Sequence, residues 1–141
     1  MTIGAILASK GSDVLSVRSD DRVSDAVAMF AEKRIGAVPV IDDGRVVGIF
    51  SERDVVYSLA KVGAAALDAR IGDVMTTPAM TVDPDTPVMS GLSLMTKRRV
   101  RHLPVVKGDR VIGFISIGDL VKHRIDHIEA EAAAMRDYIA G

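Results

Sequence analysis

The chain has 141 residues, with 18 Lys and Arg against 19 Asp and Glu, no cysteine, 48% hydrophobic content and only 4% aromatic. That length supports one domain with a real core, which must be built from Val, Ile, Leu, Met and Ala. A net charge of -1 argues against a globally basic nucleic-acid binder, and the missing cysteines exclude disulfides, thiolate metal sites and a cysteine nucleophile.

Residues 3–7, Ile-Gly-Ala-Ile-Leu, open the chain, and an extra turn is expected at Lys10, Gly11 and Ser12. Residues 14–17 read as a short strand. A helix over about 24–34 follows, because Val23, Val27, Phe30 and Ala31 recur at helical spacing. Two β-branched runs, 38–41 and 46–50, flank Asp42-Asp43-Gly44 and read as a hairpin. A helix then starts at Ser51 and runs toward Gly63, with 64–70 as a bridge. The series now recurs: Ile-Gly-Asp-Val-Met at 71–75, a strand at 80–82, and a helix carrying Val88, Leu92 and Met95. A hairpin of 103–106 and 111–115 around Lys107-Gly108-Asp109 precedes a helix from Ser116.

Laid over 79–121 without a gap, residues 14–56 match at 12 of 43 positions. Pro39-Val40 falls on Pro104-Val105, Gly48 on Gly113, Ser51 on Ser116 and Asp54 on Asp119. This is a tandem duplication. One copy leaves an apolar sheet face uncovered, and two copies cover each other. The expected fold is α+β: two β-α-β-β-α repeats related by a pseudo-two-fold axis, with sheets packed together, helices outside and two equivalent clefts between them. By sequence, 1–63 is the first repeat with its N-terminal segment, 64–124 the linker and second repeat, and 125–141 a C-terminal helix.

Within the apolar pattern a few polar residues recur in register. Ser51 with Asp54, and Ser116 with Asp119, fit a helix N-cap with an acid three residues on. They also fit a second task. A hydroxyl and a carboxylate in the first helical turn can hold a vicinal diol, while the helix N-terminus favours phosphate. A capping serine keeps lone pairs to spare, so the two roles are compatible.

These motifs resemble a tandem pair of cystathionine β-synthase (CBS) domains, the Bateman module. The resemblance rests on Ala37-Val38-Pro39-Val40-Ile41-Asp42 with Gly48-Ile49-Phe50-Ser51-Glu52-Arg53-Asp54. Its second copy is His102-Leu103-Pro104-Val105-Val106 with Gly113-Phe114-Ile115-Ser116-Ile117-Gly118-Asp119. It spans about residues 3–123 and implies a regulatory sensor of AMP, ADP, ATP or NAD-type ligands. Ser51, Asp54, Ser116 and Asp119 would then hold ribose. By the family's composite arrangement, the Asp54 site takes Met80, Thr81 and the segment Arg101-His102-Leu103. The Asp119 site takes Leu15, Ser16, Ala37 and Val38, aliphatic side chains sandwiching the base. Arg53, Arg101 and His102 would bind phosphate, so the Asp54 site is expected to favour the phosphorylated ligand. The family also implies a homodimer, here acting on a separate partner protein because no output domain is visible.

Other signals are absorbed without a catalytic role. Lys97, Arg98, Arg99 and Arg101 form a basic stretch, read as a solvated helix end in preference to a nucleic-acid site because stacking aromatics are lacking. His123 and His127 have metal-ligand spacing, but the H-E-x-x-H pattern is absent and exposed histidines are expected, with no metal. No phosphate-binding loop or nucleophile elbow is present, so no enzyme activity is expected. Ile125, Ile128, Ala132, Met135 and Ile139 make one apolar stripe on the last helix, suited to an oligomer contact. With no apolar run near 18 residues and no signal-peptide pattern in residues 1–5, a cytoplasmic protein without membrane attachment is expected.

Overall fold

The computed structural model describes residues 1–11 and 13–140. Ser12, assigned to the extra turn, lies outside them. The chain forms α1 (Ile3–Lys10), α2 (Val23–Lys33), β1 (Ala37–Asp42), β2 (Arg45–Ser51), α3 (Glu52–Val62), a 3-10 helix (Gly63–Asp68) and α4 (Ile71–Val74). The second copy supplies α5 (Val88–Arg98), β3 (His102–Lys107), β4 (Arg110–Ser116) and α6 (Ile117–Ala140). Lys10 is therefore the last residue of a helix, not part of a turn.

Each hairpin is a two-stranded antiparallel sheet, and the registers correspond residue for residue. Ala37 faces Ser51 and Asp42 faces Arg45, as His102 faces Ser116 and Lys107 faces Arg110. The two-residue turns differ in kind. Asp43 and Gly44 both have positive φ, the I′ pattern, whereas only Gly108 does in the second turn, the II′ pattern. Both patterns match the right-handed twist of the strands they join. The hairpins meet along β2 and β4, with helices outside them.

The strands expected at 14–17 and 80–82 shrink to one residue each. Val17 bridges Val40 and Val82 bridges Val105, both in parallel. Val17 N–H donates to Pro39 O at 3.2 Å, and Ile41 N–H donates to Val17 O at 2.8 Å. The next ladder bond toward residue 15 would need an N–H on Pro39, which has none. Pro104 stops the second copy in the same way.

Two cores result, and their membership departs from sequence order. Val17, Val23, Ala26, Phe30, Val38, Val40 and Phe50 form the first, completed by Ile71 from α4. Val82, Val88, Met95, Leu103, Val105, Ile115 and Leu120 form the second, completed by Ile3, Ile6 and Leu7 from α1. Each repeat thus buries the segment that precedes the other. The docking bonds correspond: Ile3 and Gly4 N–H donate to Thr86 O and Pro84 O, and Ile71 and Gly72 N–H to Asp21 O and Ser19 O, all at 2.8–2.9 Å. The exchanged segments also press on the strands. A Cβ on Gly48 would lie 2.6 Å from Met75 Sδ and 2.9 Å from Thr76 O; one on Gly113 would lie 2.6 Å from Leu7 Cδ2. Only glycine leaves room for them.

The helix from Ser116 continues without a break to Ala140, so the C-terminal helix is an extension of α6. Leu120 is its buried residue, while Val121, Ile125, Ile128, Met135 and Ile139 are exposed. His123 and His127 are half-buried, against the expectation of exposure, and His127 pairs with Glu131 at 3.2 Å. Among the described residues no helix is long and apolar enough to cross a membrane.

Ile3 is fully buried although it is the third residue of the chain. Ile3→Ala should therefore cost about 2–5 kcal/mol by deleting core methyl groups. Ile71→Ala, its counterpart in the other core, should cost a similar amount. Urea unfolding checks both; a loss at Ile3 typical of a frayed terminus, under about 0.5 kcal/mol, would show that the segment exchange is not formed.

Candidate ligand-binding site

The two Ser/Asp pairs are complete capping boxes. Ser51 N–H and its hydroxyl both donate to Asp54 Oδ2, at 2.9 and 3.2 Å, and the Asp54 N–H returns to Ser51 Oγ at 3.5 Å. Ser116 N–H donates to Asp119 Oδ2 at 2.8 Å, and Asp119 N–H to Ser116 Oγ at 3.0 Å. The structural task read from the sequence is performed at both helix starts. Strand β2 delivers Ser51 in extended conformation, so the first turn of α3 opens directly off the sheet edge.

Around that turn lies a cleft of about 410 Å³ between the two repeats. The first repeat contributes Gly36, Ala37, Ile49, Ser51, Glu52 and Arg53; Thr76 follows α4; the second repeat contributes Arg99, Val100, Arg101 and His102. Arg53, Arg99 and Arg101 thus line the same cleft as the N-terminus of an 11-residue helix, an arrangement that attracts anions. Arg53 Nη1 donates to Arg99 O at 3.5 Å, tying the α3 start to the end of α5. Arg99 itself has φ 54, as does its counterpart Arg34, in the left-handed region where helices commonly end on glycine. The Glu52 carboxylate sits over Gly36, where an added Cβ would come within 3.2 Å of it.

Of the residues singled out by sequence, this cleft gathers Ser51, Arg53, Ala37, Arg101 and His102. Ala37, assigned to the Asp119 site, is on the wall of the Ser51 cleft instead. Met80, Thr81, Leu15 and Ser16 do not line it. Val38 and Leu103 are 1% and 0% exposed, in opposite cores, so their side chains cannot sandwich a base. Alternation along β1 and β3 turns them inward. Asp54 lies just behind the wall, and its Oδ1 accepts from Thr76 Oγ1 at 2.9 Å.

His102 is half-buried and stacks on Phe114, ring centroids 5.3 Å apart. Burial, then the cations of Lys10 and Arg101, lowers its pKa against the opposing pull of Asp119. At neutral pH it is an uncharged donor, and positive charge in the cleft comes from the arginines.

At the second capping box the surroundings differ. Lys10, from the end of α1, donates to Asp119 Oδ2 at 2.6 Å and to Phe114 O at 3.0 Å. Burial opposes ionisation of Asp119, but the Lys10 ammonium and the Ser116 donors outweigh it and lower its pKa. Sequence reasoning missed Thr76, Lys10 and Arg99. The Arg34/Arg99 identity between repeats carried a signal for the last; nothing in the pattern marked Lys10.

Comparison with known proteins agrees with this architecture. The CBS domain family model matches residues 5–61 and 71–126. The chain is 34% identical over 149 residues to the CBS domain-containing protein CBSX3, mitochondrial, of Arabidopsis thaliana, covering 99% of this chain and 72% of that one. The crystal structure of the CBS-domain containing protein ATU1752 from Agrobacterium tumefaciens superposes with a TM-score of 0.83 at 39% identity, over 87% of this chain and 92% of that one. The CBS domain pair of protein MJ0100, solved with 5′-methylthioadenosine and S-adenosyl-L-methionine, shares the fold with a TM-score of 0.79 at 23% identity, over 90% and 98% of the two chains. Both repeats, each with its hairpin and capping box, fall within the matched segments, and the chain belongs to the CBS-domain family as a tandem pair.

Proposed function

We propose that this protein is a regulatory sensor of a phosphorylated adenosine ligand, AMP, ADP, ATP or an NAD-type dinucleotide, bound in the cleft between the repeats. The observation that carries the reading is the convergence of Arg53, Arg99 and Arg101 on the N-terminus of α3, beside Ser51 and Asp54. The ribose hydroxyls take the Asp54 Oδ1 position that the Thr76 hydroxyl fills, a neutral exchange of one donor for another. Phosphate then meets the arginine side chains. No bond is made or broken. The ligands of MJ0100 support adenosine recognition by this fold. Here three arginines against Glu52 favour phosphate and disfavour a sulfonium such as S-adenosylmethionine.

The ligand touches both repeats, so its binding energy depends on their relative position, and a partner protein that reads that position is regulated. Thermal melts with AMP, ATP, NAD, adenosine and S-adenosylmethionine test the reading. A phosphorylated ligand at a hundredfold excess over Kd should stabilise the fold by about 2.7 kcal/mol. Arg101→Ala should weaken nucleotide binding about tenfold or more while leaving adenosine little changed. Asp54→Asn should weaken both. If no adenosine compound shifts the melt, the capping boxes are purely structural and the protein is an interaction module. A salt-sensitive shift with RNA instead would assign the arginines to nucleic acid.

We further infer a homodimer. Val56, Tyr57, Leu59 and Val62 on α3 and Val121, Ile125 and Ile128 on α6 are exposed. Both helices follow the capping serines of equivalent repeats, so the two apolar faces are related by the internal pseudo-symmetry. Sedimentation should show a dimer that weakens when the chain is ended at His123; an unchanged dimer would remove the tail of α6 from the contact.

A further inference from the structure

The two aspartates hold corresponding positions in corresponding capping boxes, yet beyond the cap each accepts from a different kind of donor, and on a different oxygen. At Asp54 the donor is the hydroxyl of Thr76, at 2.9 Å. At Asp119 it is the ammonium of Lys10, 2.6 Å from Oδ2, the oxygen that also accepts from Ser116 N–H, whereas Thr76 meets Oδ1 of Asp54; Lys10 also bonds the Phe114 carbonyl at 3.0 Å. Both donors ride on the exchanged segments, and helix length separates them. Helix α4 ends at Val74, so Thr76 is extended and bridges Ile49, with N–H···O bonds of 2.9 Å in both directions. Helix α1 continues to Lys10 and carries the end of that side chain onto Asp119.

The chemical consequences differ. A hydroxyl on a carboxylate exchanges with a ribose hydroxyl at little cost. An ammonium does not: a neutral diol that displaces it must break an ion pair and also vacate a backbone acceptor. The Asp119 side chain is one-quarter exposed, which screens the pair only in part. The lowered Asp119 pKa agrees with a carboxylate already satisfied by a cation. The other charged or titratable groups facing it are His102 and, through His102, Arg101.

We propose that Lys10 is a built-in cationic partner of Asp119. It neutralises the carboxylate that a ribose would need there, so that the chain takes one adenosine ligand, at the Asp54 cleft. This rests on the reading that the Ser/Asp pairs are ribose sites. Taking Lys10 away breaks the ion pair and leaves Asp119 held by its Ser116 donors alone, with a carboxylate whose charge is free to accept from a diol. Because Ile117 and Gly118 stand where the first copy has Glu52 and Arg53, the opened cleft holds adenosine about as well as AMP.

Titration calorimetry of the full chain with AMP and with adenosine tests this, using Lys10→Met, Lys10→Ala and Lys10→Met/Asp119→Asn. Circular dichroism verifies that each is folded. Wild type should bind one AMP per chain, and either Lys10 variant two, the added site disappearing in the double variant. Carbon-detected NMR titration should show the Asp119 carboxyl moving to higher pKa in Lys10→Met. Unchanged stoichiometry in both Lys10 variants, or an unmoved Asp119 titration, overturns the proposal. A wild type that already fills two sites, one lost in Asp119→Asn, overturns it as well. If wild type binds nothing and Lys10→Met gains a site that Asp119→Asn removes, Lys10 is what blocks Asp119 and the Asp54 reading fails. If wild type binds one AMP at Asp54 and Lys10 variants add none, the Asp54 reading stands and Lys10 is only an ion pair.

Discussion

The whole arrangement depends on one packing constraint: neither repeat closes its core with the segment that precedes it in sequence. Ile3, Ile6 and Leu7 are buried among residues of the second repeat, and Ile71 among those of the first. Backbone bonds from Ile3, Gly4, Ile71 and Gly72, and the pair between Thr76 and Ile49, fix the two segments, and glycine at 48 and 113 admits them against the strands. Separating the repeats would strip both cores of buried aliphatic area, worth roughly 25 cal/mol per Å². The pair is therefore one cooperative body although it has two cores.

The same exchange makes the clefts unequal. An exchanged segment passes over the start of the helix after each hairpin, and its last residues decide what the capping aspartate meets. One additional turn of helix in α1, compared with α4, changes a hydroxyl into an ammonium. Duplication explains why both sites exist. Divergence in a short leading helix, outside the hairpin motif, explains why they differ. The replacement of Arg53 by Gly118 in the second copy adds to that difference on the phosphate side.

Much of this was legible in the sequence, for identifiable reasons. The repeat stood out because backbone constraints fix certain residues: glycine where a segment crosses the strand, proline after the strand entry, serine and aspartate at the cap. Hairpin turns were marked by Asp-Gly and Gly-Asp. The exchange was hidden because Ile3-Gly4 and Ile71-Gly72 are chemically alike, and either could fill either core. The matching segments were visible at once, but composition does not say which of two similar cavities a similar side chain enters. The early strands were overread since Pro39 and Pro104 act on the neighbouring strand, a non-local effect that periodicity does not register. Val38 and Leu103 were misassigned to a base pocket because an apolar side chain beside a binding motif looks the same whether it faces the cleft or the core.

On the proposed function, the distribution of charge in the first cleft supplies the link from ligand to signal. Arg53 comes from the first repeat and Arg99 and Arg101 from the second, and Glu52 is the carboxylate on that wall. Like charges on opposite walls repel, and effective screening is weaker in a half-enclosed cleft than in open solvent. A phosphate between them reverses the sign of that interaction, drawing together walls that otherwise push apart. A ligand without phosphate fills the same space but leaves the repulsion in place. Only the phosphorylated ligand therefore has a differential affinity for a closed arrangement, which is the thermodynamic requirement for regulation. On the proposed reading, the charge of the ligand is what a partner protein senses, and the adenosine serves to place that charge.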